Sequence, residues 1–303
     1  GNAELRAKMD RVAMGLIQTQ EPDGYLGTYV KGKRFGLFEN ANWDVWVHKY
    51  DLLGLLAYYQ YTGNRAALEA CQRIGDLLVK TFGPNRKSII SAGTHVGMAS
   101  CSVLEPMVLL YRATKDLRYL EFGRYIVNAY EEQNGPNVVT SLITSKSVHK
   151  TANAKAYEMT SNLVGLCELY RVTGEKRLLQ AALNGWTDIA THRLYITGSG
   201  SSFEVWQDEN HFPNGNNANI CETCVTVTWE QLNIQLFRLT GECRFIDQLE
   251  KSVYNHLLAA QRPDGSQWCY YTPLEGIKPY GNSTNCCLSS GPRGVSMLPT
   301  FGV

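Results

Sequence analysis

Apolar residues recur at helical spacing across residues 3–19, and Pro22-Asp23-Gly24 then break the pattern with turn chemistry. Residues 24–30 read as a short extended segment. Helical periodicity resumes at Asp44 and runs to Thr62, where Gly63 supplies a C-terminal cap. That ending recurs. Thr114-Lys115, Thr173-Gly174 and Thr240-Gly241 close three further apolar runs, and the aligned positions 63, 115, 174 and 241 lie 52, 59 and 67 residues apart. Each ending is followed by a second, amphipathic stretch, over residues 65–78, 117–130, 176–189 and 243–258.

These units form an internal repeat of helical hairpins. Their spacing is too long and too uneven for the common open solenoids, and long loops separate them, which favours a closed ring. The expected fold is therefore all-α, an (α/α)6-type toroid of helical hairpins with short β segments in the loops. With a last helix near residues 291–299 the chain shows about ten helices, where six hairpins need twelve. The ring is accordingly expected to be incomplete, within a single domain spanning residues 1–303.

Composition narrows the partner. With 29 basic and 28 acidic residues in 303, the net charge is +1, which leaves no electrostatic footprint for nucleic acid or an anionic membrane. No apolar run approaches a membrane span. Aromatic residues make up 11%, with 17 Tyr and 6 Trp, good material for walls that contact a neutral sugar. Nine cysteines, scattered through helical segments, point to reduced thiols rather than a disulfide framework. The chain opens Gly1-Asn2 without a methionine and is read as trimmed.

Two short stretches carry the candidate chemistry. Cys221-Glu222-Thr223-Cys224 leads into a helix, and Cys286-Cys287 follows Asn285. Glu222, Cys224, Cys286 and Cys287 offer one carboxylate and three thiolates, a donor set suited to Zn2+. A vicinal disulfide and a pair of small buried thiols are the competing readings of Cys286-Cys287. Adjacent side chains diverge in regular structure, so joint ligation calls for a turn there.

Three loops are expected to hold functional groups: residues 144–155 with His149, residues 195–217, and residues 266–275, which alternate like a strand. His48, among Trp43, Trp46 and Tyr50, reads either as a sugar-hydroxyl ligand or as a buried histidine bonded to a backbone carbonyl. His211 is a second substrate-binding candidate, with His95 behind it. Tyr270 is a further substrate-binding candidate, and Tyr270 and Tyr271 are expected to split, one lining a pocket and one in the core. Arg293 is expected to brace the Cys286-Cys287 segment. Serine-hydrolase, NTPase and dinucleotide fingerprints are absent.

Asn219 to Trp229, Trp268 to Glu275 and Asn285 to Gly294 resemble the corresponding segments of the β-L-arabinofuranosidases of glycoside hydrolase family 127. The likeness extends over nearly the whole chain, including residues 20–29 and the repeat endings. The resemblance implies a retaining glycosidase on an (α/α)6 barrel that cleaves a terminal β-L-arabinofuranoside or similar sugar of an arabinose-containing glycan. It implies a zinc-bound nucleophile, here Cys286, with Glu222, Cys224 and Cys287 as the other ligands. The implied acid/base is Glu204, with Glu209 as the alternative. Members of that family usually carry additional N-terminal helices and a C-terminal β-sandwich, and neither is expected here.

Two other readings stay open at this stage. One is a non-catalytic carbohydrate-binding or scaffold protein in which zinc is a structural staple. The other is a zinc-dependent prenyl transferase, which needs a basic diphosphate pocket that the near-neutral charge does not suggest.

Overall fold

The computed structural model describes residues 2–215, 217–281, 283 and 285–300. Asn216, at the end of the expected loop 195–217, and the chain ends of the expected single domain lie outside these. The chain divides into two compact units, Gly1–Pro136 and Asn137–Val303.

In the first unit, α1 (Ala3–Gln18) packs on the hairpin of α2 (Asp44–Thr62) and α3 (Arg65–Thr81). A short α4 (Met98–Cys101) precedes a second hairpin, α5 (Leu104–Thr114) and α6 (Leu117–Ala129). Leu52, Leu56, Ile74, Leu78, Met107, Leu110 and Ile126 are buried in its core. Residues 24–30, expected to be extended, instead follow an irregular path of bends. Their backbone is drawn in by polar side chains: the Tyr29 N–H bonds the Tyr25 hydroxyl, and that hydroxyl bonds Asp44.

The second unit holds α7 (Val138–Thr144), α8 (Ala156–Thr173), α9 (Lys176–His192), α10 (Thr223–Thr240), α11 (Arg244–Ser252), α12 (Leu258–Ala260) and α13 (Cys286–Met297). One π-helical turn, Val253–Leu257, joins α11 to α12. A two-stranded antiparallel ribbon pairs β1 (Trp268–Cys269) with β2 (Tyr280–Gly281). Helices α8 and α10 pack on each other and are buried along most of their length, whereas α9 and α11 bury one stripe. Between them Trp186 stacks on Trp229 with centroids 5.8 Å apart, and Phe245 meets Trp186 edge-on at 4.7 Å.

The repeated ending has a local physical cause. Gly63, Lys115, Gly174 and Gly241 all take left-handed backbone, and each N–H bonds a carbonyl four residues back. The threonine before each one donates its hydroxyl to the carbonyl of Tyr58, Leu110, Leu169 or Leu236. The same hydroxyl accepts the N–H of residue 64, 116, 175 or 242. One side chain thus ends the first helix and aims the second.

Among the described residues, no helix is long and apolar enough to cross a membrane.

Candidate metal centre and adjoining carboxylate

Four extended segments lie side by side in the second unit and bring distant residues together. Lys155 pairs with Val205, Ser202 with Ile220, and Glu222 with Tyr271, all antiparallel. The Thr223 hydroxyl donates to the Cys269 carbonyl at 2.8 Å, and the Thr223 N–H to the Tyr270 carbonyl at 3.0 Å. Neighbouring backbones therefore fix Lys155, Glu204, Glu222, Tyr270 and Tyr271 relative to one another.

Glu222 caps the start of α10 and Cys224 lies in its first turn. Cys286 and Cys287 open α13, where the Asn285 side chain accepts the Leu288 N–H at 3.0 Å. The two helices pack together, and both N-termini deliver their donors to one point. One ligand atom from each of Glu222, Cys224, Cys286 and Cys287 falls within 4.8 Å of every other. Cys224 and Cys287 sulfurs are 3.3 Å apart, and the Cys287 sulfur is 4.0 Å from Glu222 Oε1.

The expected turn at Cys286-Cys287 is a helix start. Convergence survives because the first helical turn leaves its N–H groups unpaired and its partial positive charge favours thiolate. Helix α13 also runs through Pro292, which sequence reading placed at its start. Its close seating depends on Gly291, where a Cβ would lie 2.3 Å from the Trp268 ring. Arg293 braces the same helix by donating to Tyr157 at 3.2 Å and to Gln231 at 3.4 Å. All nine cysteines are free, so no disulfide joins Cys286 to Cys287.

The charges are unevenly shared. Hydrogen bonds from Cys224 and Cys287 hold the Cys286 thiol far below its usual range, against the opposing effect of burial. Cys224 is pushed up as the donor to Cys286 and Cys287, with burial adding to it. Burial pushes the Glu222 carboxyl well up, reinforced by the charges of Glu204 and Cys286. Its Oε2 is buried with no hydrogen-bond partner. Three convergent sulfurs and an orphaned buried carboxylate oxygen form a cluster that could hold a metal ion, and their chemistry fits a soft, tetrahedral cation.

Glu204 stands beside this cluster. Its Oε1 accepts the hydroxyls of Tyr270 and Tyr271 at 2.7 and 2.8 Å, and its Oε2 pairs with the Lys155 ammonium. Both tyrosines therefore face the carboxylate, contrary to the expected split, because regular pairing in β1 ends at Cys269 and the chain bends at Tyr270. The Tyr270 hydroxyl also lies 3.6 Å from the Cys286 sulfur. Burial lifts the Glu204 carboxyl, but Lys155 and the two phenols outweigh it and hold it below the ordinary carboxylate range.

Other expected residues are placed elsewhere. Glu209 is exposed and pairs with His192 at 3.1 Å. His211 is exposed on the same loop, where its N–H closes a turn onto the Asp208 carbonyl, and it is not among the converging groups. His48 belongs to the first unit and is fully buried. Its Nδ1 donates to the Asp44 carbonyl at 2.8 Å and its Nε2 accepts the Leu26 N–H at 3.2 Å. Burial holds it neutral, so it takes the core reading and presents no free nitrogen to a sugar. His149 bonds the Trp206 carbonyl at 2.8 Å and anchors one loop to another.

Sequence reading missed His256. It sits in the π-helical turn, fully buried, with Nε2 at 3.0 Å from the Cys221 carbonyl and Nδ1 at 2.9 Å from the Thr226 hydroxyl. It therefore backs the segment that carries Glu222 and Cys224. Burial lowers its pKa to about 4, against about 6.5 in an unfolded chain. Between those values the unfolded state binds the extra proton, so the His256 contribution is complete above pH 6.5 and is lost as pH falls toward 4. The loss amounts to roughly 3 kcal/mol at about 1.4 kcal/mol per pH unit. Urea unfolding of wild type and His256→Gln from pH 7.5 to 4 is expected to show a flatter pH dependence in the variant.

Comparison with known proteins agrees with this geometry. A non-reducing end beta-L-arabinofuranosidase of Bifidobacterium longum subsp. longum is 27% identical over 302 residues, which cover 90% of this chain and 45% of that protein. The solved structure of a GH127 beta-arabinofuranosidase superposes with a TM-score of 0.79 at 25% identity, covering 99% of this chain and 49% of the other. A GH127 beta-L-arabinofuranosidase from Geobacillus stearothermophilus T6 gives a TM-score of 0.81 at 20% identity, with coverage of 99% and 52%. The chain thus spans about half the length of these relatives, and the likeness in backbone assigns its fold class, all-α of the hairpin-toroid type. Residues 1–300 match the family described as Beta-L-arabinofuranosidase, GH127 catalytic domain, and the chain belongs to that family.

Proposed function

We propose that this protein is a retaining glycosidase acting on a terminal β-L-arabinofuranoside or a similar pentose of an arabinose-containing glycan, with Cys286 as nucleophile and Glu204 as acid/base. The supporting observation is that a single phenol, Tyr270, lies between Glu204 Oε1 at 2.7 Å and the Cys286 sulfur at 3.6 Å. A proton-transfer group and a soft nucleophile thus stand on either side of one hydroxyl, the pairing that double-displacement chemistry at an anomeric carbon requires.

Glu222, Cys224, Cys286 and Cys287 would hold Zn2+, which their chemistry fits. When bound, the ion keeps the cysteine sulfurs deprotonated at neutral pH. The Cys286 sulfur forms a bond to the anomeric carbon as the bond to the aglycone oxygen breaks, and Glu204 gives its proton to that oxygen. Glu204, now a carboxylate, takes a proton from water. The water oxygen bonds the anomeric carbon, and the carbon–sulfur bond breaks to return the thiolate.

Zinc analysis of the purified chain and a screen of nitrophenyl glycosides test the reading together. The expected result is stoichiometric zinc and nitrophenol release from the β-L-arabinofuranoside. Activity should climb as pH falls toward the carboxylate range, because the first step needs the protonated form of Glu204 and Lys155 disfavours it. Zinc-loaded protein that cleaves no pentoside would count against the assignment.

A further inference from the structure

We propose that Lys155 is the positioning residue of the acid/base carboxylate: it fixes which oxygen of Glu204 faces the nucleophile and sets the charge of that carboxylate between turnovers. The proposal rests on the reading of Glu204 given above.

The backbone makes the pair obligatory. The Ala156 N–H donates to the Glu204 carbonyl at 2.9 Å, and the Trp206 N–H donates to the Ala154 carbonyl at 2.9 Å, so residue 155 is locked beside residues 204 and 205. Glu204 adopts left-handed backbone, φ 63°, a conformation uncommon for a side chain of its size. Strain of this kind persists where surrounding structure over-determines it. Here the two backbone bonds and the ion pair do so.

The side chains divide the labour at the carboxylate. The Lys155 ammonium takes Oε2 alone, and both phenols take Oε1, the oxygen on the Cys286 side. Lys155 and Glu204 side chains are only 16% and 23% exposed, which separates the pair from the screened surface ion pairs of little consequence. The charged groups besides Glu204 that act on Lys155 are Glu158 on α8 and Glu222 at the start of α10. Both are acidic, so Lys155 is the cation that offsets them. Without it Glu204 would gain a proton more readily and its carboxylate would be free to turn.

Lys155→Met and Lys155→Arg separate a positioning role from a packing role. In Lys155→Met, kcat/KM on an alkyl glycoside is expected to fall by one to two orders of magnitude. Its alkaline limb should move up by about one pH unit, because a neighbouring cation has been removed from a carboxylate. Lys155→Arg should restore the limb. Unchanged limb and unchanged kcat/KM in Lys155→Met overturn the proposal, and Lys155→Gln serves if the methionine variant does not fold.

An activity-free readout runs alongside. Urea midpoints of Lys155→Met, Glu204→Gln and the double variant should be non-additive, and additive midpoints overturn the pairing. If wild type cleaves no glycoside while the midpoints are coupled, the functional reading falls. Lys155 is then a structural partner of Glu204, which overturns the positioning role.

Discussion

Replacing Cys286 with serine is expected to lower kcat/KM on a nitrophenyl β-L-arabinofuranoside by about 10^3-fold or more, roughly 4 kcal/mol at the transition state. Serine keeps the size of the side chain but removes the soft, ionised sulfur. The thiol of Cys286 is poised for ionisation because Cys224 and Cys287 donate to it. A hydroxyl in that place stays protonated at neutral pH and has no base beside it of sufficient strength. Stability should change little, since Cys286 is exposed at the first position of α13 while the other three donors are buried. Zinc content and thermal midpoint measured with the kinetics decide between the two roles of the cluster. Activity lost with metal and fold retained identifies a nucleophile. Activity absent from wild type, with a fold that depends on metal, identifies a structural staple.

The hairpins and the donor cluster were legible in the sequence for different reasons. A hairpin end is local chemistry: one threonine hydroxyl and one left-handed residue, repeated at Thr62-Gly63, Thr114-Lys115, Thr173-Gly174 and Thr240-Gly241, are visible within a few residues. The cluster was visible because cysteine alone among the side chains offers a thiolate. What stayed hidden depends on contacts far apart along the chain. Lys155 meets Glu204 across 49 residues, and nothing in the sequence around either marks the pairing. Gly291-Pro292 reads as a helix start by composition, yet it lies inside α13, where the glycine gives room to Trp268. His48 sits among aromatics that suggest a sugar platform, and only the fold shows both its nitrogens committed to backbone. The alternation rule failed at Tyr270-Tyr271 because the strand is two residues long.

Removing the proposed zinc is the second large effect expected. Stripping zinc with a chelator is expected to abolish hydrolysis and to lower the melting midpoint of Asn137–Val303 by on the order of 10 °C, with both restored by added Zn2+. The size follows from linkage, since an ion present at about 1,000 times its dissociation constant stabilises the native state by about 4 kcal/mol. The location follows from the structure. The four donors tie the N-terminus of α10 to that of α13, and α13 in turn packs on β1. With no cation, Glu222 is pushed toward its protonated form by burial and Cys224 by its hydrogen bonds to Cys286 and Cys287, and Glu222 Oε2 stays buried without a partner. Glu222→Ala should therefore weaken metal binding and erase most of the zinc-dependent rise in midpoint, while Cys286→Ser keeps it. An equal response of the two variants to zinc would mean that the exposed sulfur and the buried carboxylate carry the same load, and the division between nucleophile and anchor drawn from their burial would be wrong.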